Sequence, residues 1–562
     1  MRLKILLLAI IVSLGFYEYL QTIEHPPVQS FQIALYSNKN GIEYIRDYVL
    51  TKCSNPRSKY YGKYLSTDQI NRLVQPNSSR IVPVLKWLRQ YNITFVVYGD
   101  TIHCIGDIFS IGRLLKLTLS YKNGRYVSTR KPSIPDSLKE YIQFIEGISF
   151  RPNPSFERKL TRVSTGHVTR EVLSRVYNMV GDGLSYSKLT SVGVMEYQGQ
   201  SGFRQSDMVK AQVASNVPPH NVSENHIVGP DSLPDGESQL DMAVIWWGNG
   251  NATIWYEDYT GWMFGWASSF LNRKDYPEVV SLSWGWNERD QCSITHCFLN
   301  ETSKEYVERT NNEFMKLAAK GVTIVVASGD AGSPGRTNEE CVRTIPINPI
   351  FPGSSEWVTS VGATYLVASD KPYNWKTPLC KELGCANGTI EEMTTFERTG
   401  WTSGAGWSWW SATPKWQLPE VNTYFNSGVY FPPRNTWNYQ GRGYPDVSAF
   451  GHSCTLHDGN VWTTEDGTSC AAPVFAGIIT YLNDHQRKMG KSRLGFVNPL
   501  LYHMYRQESN TFNDITVGNS SCTEFQCCDR DHGFVPTKGW DVVSGLGTPN
   551  IGNIISWLDR NT

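Results

Sequence analysis

The stretch 464–477, TEDGTSCAAPVFAG, carries a serine that could act as a nucleophile. Gly467 allows close backbone approach, and Ser469 falls at the expected start of a helix. There the free N–H groups and the dipole favour developing negative charge. Pro473 falls in or near the first turn, where its missing N–H costs least. An isolated Gly-Thr-Ser is more simply a helix cap, since Ser and Thr are favoured there. The full Gly-Thr-Ser-x-Ala-x-Pro pattern before a long apolar helix is more specific.

A serine hydroxyl attacks poorly at its free pKa and needs an adjacent base. Histidine is the first base to seek, and the chain has eleven. None stands in the His-Gly-Thr setting at a helix start; His167 and His226 come closest and lack it. A carboxylate can serve instead where the pH is low. LPDGESQLDMAVIWW places Glu237 and Asp241 four residues apart, on one face if this is a helix. Two carboxylates so close cannot both ionise cheaply and would share a proton. Asp241 would hold the geometry while Glu237 accepts the serine proton. An acidic pair at this spacing is commonly a solvated surface, but here its second half runs into MAVIWW, which implies burial. The third group is Asp330, in VTIVVASGDAG, where a buried strand ends in Ser-Gly-Asp. A neutral Asp there could donate a hydrogen bond to an oxyanion; a turn aspartate is the equal alternative.

The elements that must position these residues alternate from about residue 166 onward. REVLSRVYNM and YVERTNNEFMKLAAKG are helical, the second with a glycine stop. PEVVSLSWGW, VTIVVASGD and WVTSVGATYLV are apolar strands. Such strands separated by helices predict a parallel sheet covered on both faces, with its ligand crevice beyond the carboxyl ends of the strands. Residues from about 25 to 160 form a different pattern. FQIALYS is strand-like, GIEYIRDYVL and SRIVPVLKWLRQYN are helical, and ITFVVYG pairs with TIHCIGD across Gly99-Asp100. That mixture predicts a small α+β domain. RPNPSFERKLTRVSTG then reads as an exposed linker and a processing site.

Bulk composition narrows the setting. In 562 residues, Lys plus Arg and Asp plus Glu both number 52, so nothing points to nucleic acid or an anionic membrane. MRLKILLLAIIVSLGF has the basic start and short apolar run of a secretory signal peptide, assigned to 1–22. No later segment has the length and apolarity of a membrane span. Seven N-x-[ST] sequons agree with secretion, and most of the twelve cysteines are then expected to be paired. Cys292/Cys297 and Cys380/Cys385 suit small loops, while spacing leaves the overall connectivity open.

Glu-x-x-x-Asp, then Ser-Gly-Asp, then Gly-Thr-Ser-x-x-x-Pro, in that chain order, resembles the sedolisin family of serine-carboxyl peptidases. SKYYGKYLSTDQINRLVQP resembles that family's propeptide, and VTREVLSRVYN the start of its mature enzyme. FPGSSEWVTSVGAT, YPDVSAF and GWDVVSGLGTPN are similar to its later landmarks. The resemblance implies an α/β, subtilisin-like catalytic domain over 163–562, preceded by an activation prodomain over 23–162 that inhibits it intramolecularly. It implies Ser469 as nucleophile, Glu237 as base, Asp241 as its support and Asp330 as the oxyanion-site acid. It implies a structural calcium ion held by the Asp514 and Asp541 carboxylates and the Ile515, Thr537 and Gly539 carbonyls, an all-oxygen set. Similarity to the tripeptidyl-peptidase members implies peptide substrates cut from free N-termini, with endopeptidase action or a non-catalytic secreted binding relative as the alternatives, and a lysosome-like or extracellular location. Three features depart from the family: Asp466 before Gly-Thr-Ser, set to alter the pH profile or to face solvent; Cys470 after the serine, read as a buried hydrophobe or a free thiol; and extra tryptophans, with Trp284, Trp286 and Trp407 read as subsite walls or as core.

Overall fold

The computed structural model describes residues 26–122, 125–148, 166–179, 189–197, 199, 202–229, 233–295, 297 and 301–561. The signal segment and almost all of the expected linker lie outside them. The described residues divide into two compact units, one drawn from 1–42, 71–151 and 295–301, the other from 43–70, 152–294 and 302–562.

In the first unit, β1 (Val28–Leu35), β2 (Thr94–Tyr98), β3 (Thr101–Asp107) and β4 (Ile142–Glu146) form an antiparallel sheet ordered β2-β3-β1-β4. Gly99, at a φ of 58°, turns β2 into β3 so that Tyr98 pairs with Thr101, as the alternating apolar runs predict. Helices α1 (Ser78–Gln90) and α2 (Ile108–Leu115) share one core with the sheet through Val84, Trp87, Leu88, Ile111 and Leu114. Asp107 caps α2 by accepting from the Phe109 and Ser110 N–H groups at 3.0 and 2.8 Å.

The second unit is built on β5 (Ser191–Tyr197), β6 (Ile227–Val228), β7 (Thr253–Tyr259), β8 (Val279–Leu282), β9 (Thr323–Ala327), β10 (Thr359–Leu366), β11 (Glu391–Met393) and β12 (Val447–Phe450). The order is β11-β10-β9-β8-β5-β7-β6, with β12 also on β10. Every pairing is parallel except β10 with the edge strand β11. Strands β8, β9 and β10 are buried along their whole length, which is why they read as continuous apolar runs rather than alternating ones.

Three helices matter to the site. Helix α3 (Gly236–Val244) is capped by Asp235, which accepts from the Ser238 N–H at 2.9 Å. Helix α4 (Ser303–Lys320) has a Thr302/Glu305 capping box and stops at Gly321, φ 84°. Helix α5 (Thr468–Lys488) runs against β8, β9, β10 and β12. Close approach of backbones joins the segment just after α3 to α5: a Cβ on Gly248 would lie 2.1 Å from the Gly477 carbonyl carbon. Residues 43–70 fold within this unit too. The Leu65 N–H donates to Ala319 O at 2.9 Å, and the Tyr64 hydroxyl to Arg493 O at 2.8 Å.

Candidate active site

Ser469 is the second residue of α5 and is 7 % exposed. Gly467 enters the helix at a φ of 141°, a left-handed value that favours glycine, with Asp330 Oδ2 3.5 Å from where a Cβ would stand. Thr468 fastens this turn to the end of β9. Its N–H and hydroxyl both donate to Asp330 Oδ1, at 2.8 and 2.7 Å, and its hydroxyl oxygen accepts from the Gly329 N–H at 3.1 Å. Asp330 is therefore built into the serine turn and is not a free turn aspartate. Burial pushes its carboxyl up, Arg336 at 3.6 Å pulls it down, and Glu524 pushes it up again.

Glu237, Asp330 and Ser469 line one cleft together with Ser283, Trp284 and Trp286. Ser283 and Asp330 leave the carboxyl ends of the adjacent parallel strands β8 and β9, as the crevice rule requires. Asp241 lies behind the cleft and is fully buried; the Ser283 hydroxyl donates to its Oδ2 at 2.6 Å. Ser283 also approaches the Ser469 carbonyl oxygen at 3.4 Å, so one side chain bridges the acid helix and the serine helix.

A further acid stands behind Glu237 and Asp241. Glu196, buried on β5, accepts a hydrogen bond from the Trp284 indole N–H. Burial pushes its carboxyl well up, the charges of Asp241 and then Glu237 add to that, and the indole N–H opposes it. Sequence reading passed over Glu196. The available signal was one acid in SVGVMEY, a strand otherwise fit for full burial.

No histidine among the described residues lines the cleft. His167 Nδ1 meets Thr455 Oγ1 at 3.3 Å, and His226 stacks on Trp255. Two readings of the departures need correction. Cys470 is no free thiol, because it is bonded to Cys454. Trp407 is no cleft wall: it is fully buried among Phe425, Trp437, Phe534 and Trp540. Trp284 and Trp286 do line the cleft. The other described bridges are Cys380–Cys385, Cys522–Cys527 and Cys341–Cys528, the last spanning 187 residues that no spacing rule could connect. Cys292 and Cys297 are disulfide-bonded as well.

Over 526 residues, 91 % of this chain and 90 % of the relative, the sequence is 34 % identical to physarolisin of Physarum polycephalum. The chain belongs to the sedolisin family. Residues 21–151 match the pro-kumamolisin activation domain and 242–501 the subtilase family. Human tripeptidyl-peptidase 1 is 27 % identical over 573 residues, 95 % of this chain and 92 % of the relative. A Pseudomonas sedolisin structure, described as a serine-carboxyl proteinase, superposes with a TM-score of 0.50 at 20 % identity over 71 % of this chain and 99 % of that one, which bears on the fold. The protein is thus a sedolisin-type serine-carboxyl peptidase made as a zymogen, with a subtilisin-like domain and an activation domain able to act as an intramolecular inhibitor. No described helix is long and apolar enough to cross a membrane.

The residues expected to hold calcium meet around one loop. Asp541 Oδ2 accepts from the Thr537 N–H at 3.0 Å, and Asp514 Oδ2 from the Gly539 N–H at 2.9 Å. The Ile515, Thr537 and Gly539 carbonyls accept no backbone hydrogen bond among the described residues. Asp541 is fully buried. Asp541 also accepts from the Val543 and Ser544 N–H groups and the Ser544 hydroxyl, at 2.8, 2.9 and 3.1 Å, so its oxygens are held by protein donors. What remains for a hard cation is the half-buried Asp514 carboxylate and the three carbonyls, an all-oxygen set.

Proposed function

We propose that this peptidase is acid-active and releases tripeptides from the free N-termini of peptides, with Ser469 as nucleophile and Glu237 as its base. The observation that carries the chemistry is the single cleft shared by Ser469, Glu237 and Asp330, lined by no described histidine. Ser469 Oγ attacks the scissile carbonyl carbon while its proton passes to Glu237. The oxyanion accepts a hydrogen bond from protonated Asp330, whose raised pKa keeps that proton available at acid pH. Collapse breaks the C–N bond, and the leaving amine takes the proton from Glu237. Water then hydrolyses the ester by the same steps, its proton passing through Glu237 back to Ser469. Asp241, held by Ser283, orients Glu237, and Glu196 backs the pair from β5.

Two further parts of the reading rest on relatives and on fit. Release of tripeptides is supported by the similarity to tripeptidyl-peptidase 1 along nearly the whole chain. Calcium at Asp514, Asp541 and the Ile515, Thr537 and Gly539 carbonyls would neutralise the two carboxylates and tie 514–515 to 537–541. The same resemblance supports a route through the secretory pathway to a lysosome-like compartment.

Hydrolysis by the processed enzyme across pH 3–7, with Ser469→Ala and Glu237→Ala alongside, tests the chemistry. An optimum near neutral pH sinks the carboxyl base, and undiminished activity in Ser469→Ala sinks the nucleophile. Equal cleavage of a free-amine peptide and its N-acetylated form sinks the exopeptidase assignment alone.

A further inference from the structure

We propose that Asp466 is a positioning residue for Ser469, acting through a clamp between its carboxylate and His452, Ser453 and Trp401. The proposal rests on the reading of Ser469 as the nucleophile. Asp466 stands between the strand Val461–Glu465 and Gly467, directly ahead of the serine turn. Its Oδ1 accepts from the Ser453 N–H at 2.7 Å. Its Oδ2 accepts from the Trp401 indole N–H at 3.3 Å and lies 3.0 Å from His452 Nδ1. The side chain is only 14 % exposed and its carboxylate faces protein donors, so it is not a solvated surface charge.

Two neighbouring ties share the same partner segment. The Gly467 N–H donates to Gly451 O at 2.9 Å, and Cys454 is bonded to Cys470. Residues 451–454 thus hold 466–470 at three successive places, on either side of Ser469. From the other direction, Thr468 is held by Asp330. Ser469 sits on the one short turn fixed from both sides.

The geometry of that turn depends on the Asp466 acceptor oxygens for a simple reason. Ser453 is 4 % exposed, so without the carboxylate its buried N–H has little water to turn to, and His452, 1 % exposed, loses the group its Nδ1 faces. The Ser453 backbone, at a φ of 56°, would relax and carry Gly451 and Cys454 with it. The Trp401 indole, which lines the cleft, would lose its hydrogen-bond acceptor. A nucleophile displaced by about 1 Å loses rate by about 100-fold while substrate binding elsewhere persists.

The test uses enzyme processed from the full-length precursor, with kcat and KM on one peptide and the rate of Ser469 labelling by a fluorophosphonate. For Asp466→Ala, kcat and the labelling rate should fall together by about 10- to 100-fold, with KM within about twofold. Asp466→Asn keeps an oxygen for the Ser453 N–H and should lose distinctly less. Should Asp466→Ala fail to mature, Asp466→Asn and His452→Gln carry the test, each with kcat and labelling reduced in parallel. Unchanged kcat and labelling, or a rise in KM alone, overturns the clamp and makes Asp466 a bystander or a subsite wall. Labelling of Ser469→Ala at the wild-type rate would instead overturn the nucleophile, an outcome distinct from failure of the clamp.

Discussion

Acid acts on His103, in the four-stranded unit, in the sense opposite to its action on Glu288 and Glu391 in the catalytic unit. Burial on β3 lowers His103 from 6.5 to about 4. On acidification the unfolded chain takes up this proton first. The stability tied to neutral His103 is full above about 6.5 and is lost as the pH falls through about 4. Burial raises Glu288 and Glu391 from 4.5 to about 7. There the folded state keeps a proton that the unfolded chain releases. That stability is full below about 4.5 and is lost as the pH rises through about 7. The bridges Cys341–Cys528, Cys380–Cys385, Cys454–Cys470 and Cys522–Cys527 all lie in the catalytic unit, and each unit holds one buried free thiol, Cys104 in the first and Cys53 in the second. Acid thus works against neutral His103 in the first unit and for protonated Glu288 and Glu391 in the second, where Lys320, lowered to about 7 by burial, opposes them.

The largest effect belongs to Ser469→Ala in the full-length precursor. Hydrolysis should fall by about 10⁴-fold or more, while acid-induced hydrogen exchange in β1–β4 remains. Loss of that exchange would mean that loosening follows cleavage, and the contrast between the units would break. Next, Asp330→Ala should lower kcat by about 10²–10³-fold, with Asp330→Asn recovering much of it because an amide N–H can replace the acid O–H. Equal losses in both would leave Asp330 with only its ties to Thr468.

His103→Leu should move the pH at which the first unit opens downward by about one unit, read by limited proteolysis in a Ser469→Ala background. An unmoved midpoint would assign acid lability to other groups. The smallest effect is Glu391→Gln. The side chain accepts from Thr364, Tyr177 and Thr548 hydroxyls, at 2.6, 3.0 and 2.7 Å. The wild-type Tm should be higher at pH 4.5 than at pH 7.5, and the variant should shrink that difference by a few degrees, about what one buried carboxyl can shift. A difference that stays the same would shift the weight to Glu288.

Much of the molecule was legible because local rules and tertiary demands agree. The apolar runs at 279–282 and 323–327 are central strands, and Gly321 stops α4 where the glycine reading put it. The Glu237–Asp241 pair does lie on one helix with Asp241 buried, because MAVIWW drives that face inward. Glu196 and Ser283 were not legible, since a lone acid and a lone serine carry no pattern. Their meaning comes from strands 191–197 and 279–282 being neighbours in the sheet.

The sequence alone determined which residue types could perform the chemistry, the alternation that makes a parallel sheet, and the order of acid, acid and serine. Those follow from side-chain period and from the capping, turn and burial preferences of neighbours along the chain. Only the tertiary structure decided where the Asp466 carboxyl group goes, that Cys470 is tied to Cys454, and that Trp407 is core while Trp284 holds Glu196. Each of those depends on partners far away in sequence or on the path of a turn, and neither is encoded in the spacing of the residues concerned.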